Sequence, residues 1–184
     1  FALRTLEDAE AIQEAMAHAQ RAVVVGGGFI GCEVATGLAQ RGIATTIVEV
    51  TPAPLSLVLD AETSAFMATY LRQQGVTVLT ETAASQFVGE QGAVRAVVTN
   101  RGTELPADLV IVGVGLVLNI ELAEQAGLPV NNGVVVDEFL AAAPGIYAAG
   151  DIARYYSPLL GKHLRVEHYD VALQHGRIAG ANMT

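Results

Sequence analysis

The stretch Val23–Gly31, VVVGGGFIG, constrains this chain more than any other. An apolar run, Ala22–Val25, stops at three consecutive glycines. Continuous apolar runs of this kind suit parallel strands buried on both faces. Gly26, Gly28 and Gly31 then give the spacing G-x-G-x-x-G. Phe29 and Ile30 open a helical pattern that runs to Gln40 and stops near Gly42. In such a turn the first glycine allows the tight bend. The second lets backbone approach a pyrophosphate with no Cβ in the way, and the third lets the helix pack close to the strand. The helix N-terminus adds N–H groups and a partial positive charge. Gly26, Gly28, Phe29, Ile30 and Gly31 are therefore candidate cofactor-binding residues.

A second strand, Thr45–Glu49, ends in an acid about 20 residues beyond the glycines. A carboxylate there can accept hydrogen bonds from the adenosine ribose hydroxyls and would repel a 2′-phosphate. No Arg or Lys lies between Val50 and Asp60 to welcome one. Glu49 thus favours NAD(H) over NADP(H). A tight strand–helix turn with packing glycines is the plainer alternative. Strand before, helix after, acid at the right distance and a continuing βαβαβ order together favour dinucleotide binding. The turn alone does not separate NAD from FAD, since both dinucleotides use it.

The spacing predicts a helix over about Leu6–Ala19, with Leu6, Ala9, Ile12 and Met16 on one face. Asp60 caps a further helix to Gln74, Gly75 ends it, and strand three follows at Val76–Leu79. Ser85–Val88, Val94–Thr99 and Leu109–Val112 read as short strands joined by connections too short for helices. They imply an antiparallel excursion followed by a return to the sheet. After Gly115 the pattern changes again. Glu121–Ala126 reads as a short helix, Val134–Val136 and Ile146–Ala148 as short strands, and Val166–Met183 as a helix. The chain leaves one domain for another near Leu116–Asn119.

Composition excludes several classes. With 184 residues, 52% of them hydrophobic and 16% charged, the chain is suited to packed cores. Nineteen acids against ten bases give a net charge of −9, with no basic stripe for nucleic acid and no basic amphipathic helix for a membrane surface. No segment approaches the ~20 apolar residues of a membrane span. One cysteine, Cys32, excludes an intrachain disulfide and multi-cysteine metal sites, and suggests a reducing, cytoplasmic setting. No metal site is expected. The first residue is not Met, so the chain reads as a piece of a longer one. The oligomeric state is not legible.

VVVGGGFIGCEVA, then VIVGVG at Val110–Gly115, GIYAAGDIA at Gly145–Ala153 and the tail GKHLRVEHYDVALQHGRIAGANM occur in a telling order. In combination they resemble the two-dinucleotide flavoprotein reductases, or pyridine nucleotide-disulfide oxidoreductase-like proteins. The tail resembles the ferredoxin reductase branch, which includes relatives of apoptosis-inducing factor. The resemblance implies an α/β fold with a doubly wound, Rossmann-like NAD(H)-binding domain over residues 1–115, carrying a three-stranded antiparallel insert. Residues 116–184 would be part of an FAD-binding domain. The family's first FAD segment, with its own glycine turn, and its C-terminal interface domain have no counterpart here.

Residue by residue, the resemblance places Glu33 near the nicotinamide; the alternative is a first-turn acid favoured by the helix dipole. It places Gly113, Val114 and Gly115 along NADH, where a small-residue strand end is the alternative. Asp151 would bind FAD ribityl hydroxyls, against a simple helix cap. Glu167 and His168 would lie beside the flavin. Leu118–Asn119 departs from the family's Pro–Asn, and Ala141–Ala142–Ala143 replaces a threonine near the FAD site. Cys32 is not a redox dithiol.

The implied activity is an FAD-dependent NADH oxidoreductase. It passes hydride from NADH to flavin, and electrons on to a ferredoxin-like redox partner or a small-molecule acceptor. No single residue stands out as catalytic. This chain alone is expected to bind NADH, to hold FAD poorly and not to turn over. A non-catalytic NADH-binding or sensor module remains open. A flavin-independent dehydrogenase would need acid–base residues that are not evident: the only lysine is Lys162, and no Tyr-x-x-x-Lys occurs. A glycine turn that binds FAD directly is disfavoured by the positions of VGVG and the Gly150–Asp151 pair.

Overall fold

A computed structural model describes residues 1–184. They form two compact units, Phe1–Gly115 and Leu116–Thr184.

The first unit begins with α1 (Leu6–Met16), β1 (Arg21–Val25), α2 (Phe29–Gln40) and β2 (Ala44–Val48). It continues through α3 (Ala61–Gln73), β3 (Val76–Leu79), β4 (Ala84–Glu90), β5 (Ala93–Thr99), β6 (Glu104–Pro106) and β7 (Leu109–Val112). Four strands make a parallel sheet in the order β3-β2-β1-β7. The register sets Val24 beside Ile47 on one side and Ile111 on the other. Ala22–Val25 is buried along its length because β1 is central and covered on both faces.

Strand side chains alternate between two cores. Ala22, Val24, Ile47, Leu109 and Ile111 face Ile12 of α1, Cys32, Ala35 and Leu38 of α2, and Leu71 of α3. Val23, Val25, Val48 and Val110 face Val97 and Ala107, with Ala84, Val94 and Leu105 packed alongside. Helices thus cover one face, and the antiparallel sheet β4-β5-β6 supplies the opposite core. Local chemistry starts the helices. Thr5 and Asp8 form a reciprocal capping box on α1, and the Asp60 carboxylate accepts from the Thr63 amide at 2.9 Å to cap α3. Along the outer edge of β7, the Phe1 backbone bonds to Val110 and Val112.

Several boundaries differ from the sequence expectation. Leu109–Val112 is not part of the antiparallel excursion; it pairs parallel with β1. The third strand of the excursion is Glu104–Pro106, a polar edge segment whose proline lacks a donor, so it carries no periodic signal. α1 ends at Met16 rather than Ala19, and Leu6 is exposed rather than on the buried face.

The second unit contains α4 (Glu121–Gln125), β8 (Val134–Val136), β9 (Ala141–Ala143), β10 (Ile146–Tyr147), β11 (Ala153–Ser157), β12 (Lys162–Leu164) and α5 (Tyr169–Asn182). A single 3-10 turn, Gly150–Ile152, precedes β11. β11 pairs parallel with β8 and antiparallel with β12, while β9 and β10 form a separate pair. Val134, Val136, Leu140, Ala153 and Ala179 make its core. β9, β11 and β12 were not expected from sequence. An alanine triplet has little strand preference, and ARYYS and KHL lack a clean alternation. The final helix starts at Tyr169 rather than Val166, because His168 is extended (φ −151°) and caps it.

Gly31 sits where a Cβ would run into the backbone carbonyl of Gly26, whereas nothing lies within 4 Å of a Cβ at Gly28. Gly31→Ala is expected to lower stability by about 1–3 kcal/mol, the usual cost of overpacking. Gly28→Ser, which adds a good helix-capping side chain in open space, is expected to stay within about 0.5 kcal/mol of the parent. Urea unfolding midpoints of the two variants check both statements.

Candidate functional site

The three glycines of the turn answer three different constraints. Gly26 has φ +103°, a region open to glycine, and a Cβ there would collide with the Gly113 carbonyl oxygen. The Gly113 amide donates to the Val25 carbonyl at 2.8 Å, so the end of β7 is drawn tightly against the end of β1. Gly31 sets the approach of α2. Gly28 is the N-cap of α2, carries no side-chain capping bond and faces open space. Two glycines therefore serve close packing. The third leaves the start of a helix bare, a surface suited to an anion.

The middle residue, Gly27, is held from the other side. Glu49 lies one residue beyond β2, is 8% exposed and turns inward. One carboxylate oxygen accepts from the Gly27 amide at 2.5 Å, and the other from the Thr51 amide at 2.7 Å. The Gly27 carbonyl accepts from the Leu55 amide at 2.9 Å. Leu55 is buried with φ +61°, a conformation unusual for leucine. The loop after β2 thus clasps the glycine turn through both polar groups of Gly27. Sequence reasoning missed Gly27 and Leu55, which have no signal apart from their place between motif residues.

Gly26, Gly31, Gly113 and Glu49 come together around this one turn. Phe29, Ile30 and Val114 are exposed at it, with Val114 70% accessible. Gly115 has φ +114° and closes the first unit. Glu33 is exposed as the fifth residue of α2, so the first-turn explanation does not apply to it: α2 has no acid in its first turn. Next to it, Cys32 is 7% exposed, and its Sγ lies 3.4 Å from the Gly27 carbonyl. Burial pushes the Cys32 thiol up to about 11, and the negative charges of Glu49 and Glu33 add to that.

In the second unit, Asp151 is the middle residue of the 3-10 turn. Its carboxylate is exposed and makes no capping bond, so the simple helix-cap explanation fails. The Asp151 carbonyl accepts from the Arg165 guanidinium at 3.2 Å, and the same guanidinium nitrogen donates to Glu167 at 2.7 Å. His168 caps α5, its Nδ1 accepting from the Asp170 amide at 3.2 Å. One further residue had no sequence signal. His175 is 5% exposed, and its Nδ1 accepts from the Gly150 amide at 3.3 Å. No group of three or more His, Cys, Asp or Glu side chains converges on a possible metal position. No helix is long and apolar enough to cross a membrane.

Known proteins resemble this chain in sequence and fold. The family model for pyridine nucleotide-disulphide oxidoreductases matches residues 1–176. The chain belongs to that family. Putidaredoxin reductase of Pseudomonas putida is 42% identical over 178 residues, covering 95% of this chain and 42% of the relative. The anthranilate 1,2-dioxygenase system ferredoxin–NAD(+) reductase component of Burkholderia cepacia is 36% identical over 182 residues, covering 98% of this chain and 45% of the relative. A solved ferredoxin reductase from Rhodopseudomonas palustris superposes with a TM-score of 0.93 at 34% identity, over 100% of this chain and 46% of its own. The chain therefore spans a little under half the length of the relatives it matches.

For a pyridine nucleotide-disulphide oxidoreductase relative, the cysteine chemistry here is unhelpful to redox exchange. A thiol that titrates near 11 holds little thiolate at neutral pH, and only the thiolate attacks disulfides or alkylating agents. Iodoacetamide at about pH 7.5 is expected to label native Cys32 at least about 100-fold more slowly than a free thiol, and rapidly in denaturant. Fast native labelling, followed by mass spectrometry, would contradict this environment.

Proposed function

We propose that this chain is the NAD(H)-binding part, and a portion of the FAD-binding part, of an FAD-dependent NADH oxidoreductase that delivers electrons to a ferredoxin-like protein. The observation that carries the proposal is the bare α2 N-terminus at Gly28, set in a turn held from both sides by Gly113 and Glu49. The space a Cβ would fill at Gly28 suits a pyrophosphate, and the α2 start supplies backbone donors and a favourable dipole.

Each residue then has a task on the nucleotide. Gly26 and Gly31 keep strand and helix close, and Gly28, Phe29 and Ile30 line the phosphates. Glu49 keeps lone pairs beyond those given to Gly27 and Thr51, so it can also accept from ribose hydroxyls. Gly113, Val114 and Gly115 present backbone and a small exposed side chain along the dinucleotide. Glu33 is exposed on α2 for the nicotinamide end. In the second unit, Asp151, Glu167 and His168 provide an exposed carboxylate, a carboxylate paired to Arg165 and a helix-capping imidazole for the flavin. When bound, the nicotinamide and flavin supply the hydride and electron chemistry; these side chains bind and orient. The names of the relatives, one of them a ferredoxin–NAD(+) reductase component, support NAD(H) and a small electron-carrier partner. The buried, unreactive cysteine fits a reducing cytoplasm.

Two measurements test this. Calorimetric titration is expected to show NADH binding at least about tenfold tighter than NADPH, because Glu49 repels a 2′-phosphate and the loop to Asp60 holds no base. Equal affinities would remove the role given to Glu49. Gly28→Val is expected to weaken NADH binding by at least about tenfold while thermal unfolding stays cooperative, since the added side chain meets no protein atom at its Cβ. Unchanged affinity would mean that the turn is not the pyrophosphate site.

A further inference from the structure

The 3-10 turn Gly150–Ile152 is held by side chains that follow it in the chain. Gly150 has φ +77° and packs toward Ala172 of α5, the nearest contact of a Cβ placed there being the Ala172 Cβ at 3.5 Å. One turn further along α5, on the same face, His175 points its Nδ1 at the Gly150 amide, 3.3 Å away. From the segment after β12, Arg165 donates to the Asp151 carbonyl at 3.2 Å. The turn's first N–H and second C=O are thus both fixed by side chains, while the Asp151 carboxylate between them stays exposed.

We propose that His175 is a positioning residue for the flavin site, its neutral imidazole fixing the Gly150 amide so that Asp151 is presented, and its protonation releasing that turn. This rests on the reading of Asp151 as a flavin ligand. An imidazole accepts at Nδ1 only while that nitrogen carries no proton, so the Gly150 bond requires the neutral ring with its proton on Nε2. The imidazolium would set a donor against the Gly150 donor. The surroundings favour the neutral form. His175 is 5% exposed, and burial lowers its pKa from the ordinary value of 6.5. Tyr155 of β11 is the titratable group facing it, ring edge to ring face with centroids 4.7 Å apart. Asp151 is the charged residue of the turn, and Asp170 and Arg177 are the nearest charges in sequence along α5. Because the folded-state pKa is depressed, the bond is intact above pH 6.5 and is lost as pH falls through the lower, folded value.

The test uses the complete flavoprotein that carries this chain, stripped of flavin and titrated with FAD by fluorescence from about pH 8 down to about pH 5. The parent is expected to lose affinity at the acid end. His175→Leu, which removes the acceptor, is expected to bind FAD at least about tenfold more weakly across the range. His175→Asn, whose amide oxygen can take the place of Nδ1 but does not titrate, is expected to recover affinity to within about threefold and to flatten the acid loss. Exchange of the Gly150 amide, followed by NMR, is expected to quicken in His175→Leu and at acid pH in the parent, but not in His175→Asn. A merely structural histidine would give no rescue and no change in pH profile. Asp151→Ala separates the two layers. If it leaves FAD affinity unchanged, the flavin reading of Asp151 falls and this proposal falls with it. If it abolishes binding while His175→Leu binds as the parent does, with the same pH profile, the proposal for His175 alone is overturned.

Discussion

The first unit depends on how closely three backbone segments approach at the end of β1. The Gly113 carbonyl sits where a Cβ of Gly26 would be, and the Gly26 carbonyl sits where a Cβ of Gly31 would be. These are contacts of bare main chain, and they admit no side chain at either glycine. Their consequence extends down α2. A helix that starts this close to the sheet buries Cys32, Ala35 and Leu38 in one core with Val24, Ile47 and Ile111. The same closeness leaves the helix start bare at Gly28, so close packing and an open helix N-terminus arise from one geometry.

Glu49 shows how a buried acid at the end of β2 serves the fold. A buried carboxylate is costly unless its oxygens are satisfied. Here the amides of Gly27 and Thr51 do that, and Leu55 holds the Gly27 carbonyl. The strained φ of Leu55 persists because its side chain is buried and its amide is engaged. The turn is therefore preorganised by its neighbouring loop rather than by glycine chemistry alone. Such preorganisation lowers the entropy to be lost when a ligand binds.

In the second unit a different solution serves a similar end. The turn at Gly150–Ile152 is too short to stabilise itself, and α5 and the segment between β12 and α5 hold its backbone through His175 and Arg165. Exposed acids at Asp151 and Glu167 are left on a rigid base, and charge-assisted bonding of Glu167 to Arg165 fixes one of them.

Much of this was legible in the amino-acid order. The apolar run Ala22–Val25, the glycine spacing and the acid Glu49 specify a buried parallel strand, a tight turn and a helix, because each depends on local sterics and on period. α2 begins and ends where the pattern put it, and β3 and β8 coincide with their expected spans. Weakly patterned strands were not legible: β6 ends in proline, β9 is three alanines, and β11 and β12 lack alternation, so only pairing with neighbours makes them strands. Nor could sequence show that the Glu49 carboxylate turns inward to Gly27, or that His175 reaches back to Gly150. Sequence by itself determined which chemical groups are available and the local shape of the glycine turn. Tertiary structure alone decided which distant groups satisfy one another, because a hydrogen bond over 22 or 25 positions depends on how the elements between them pack.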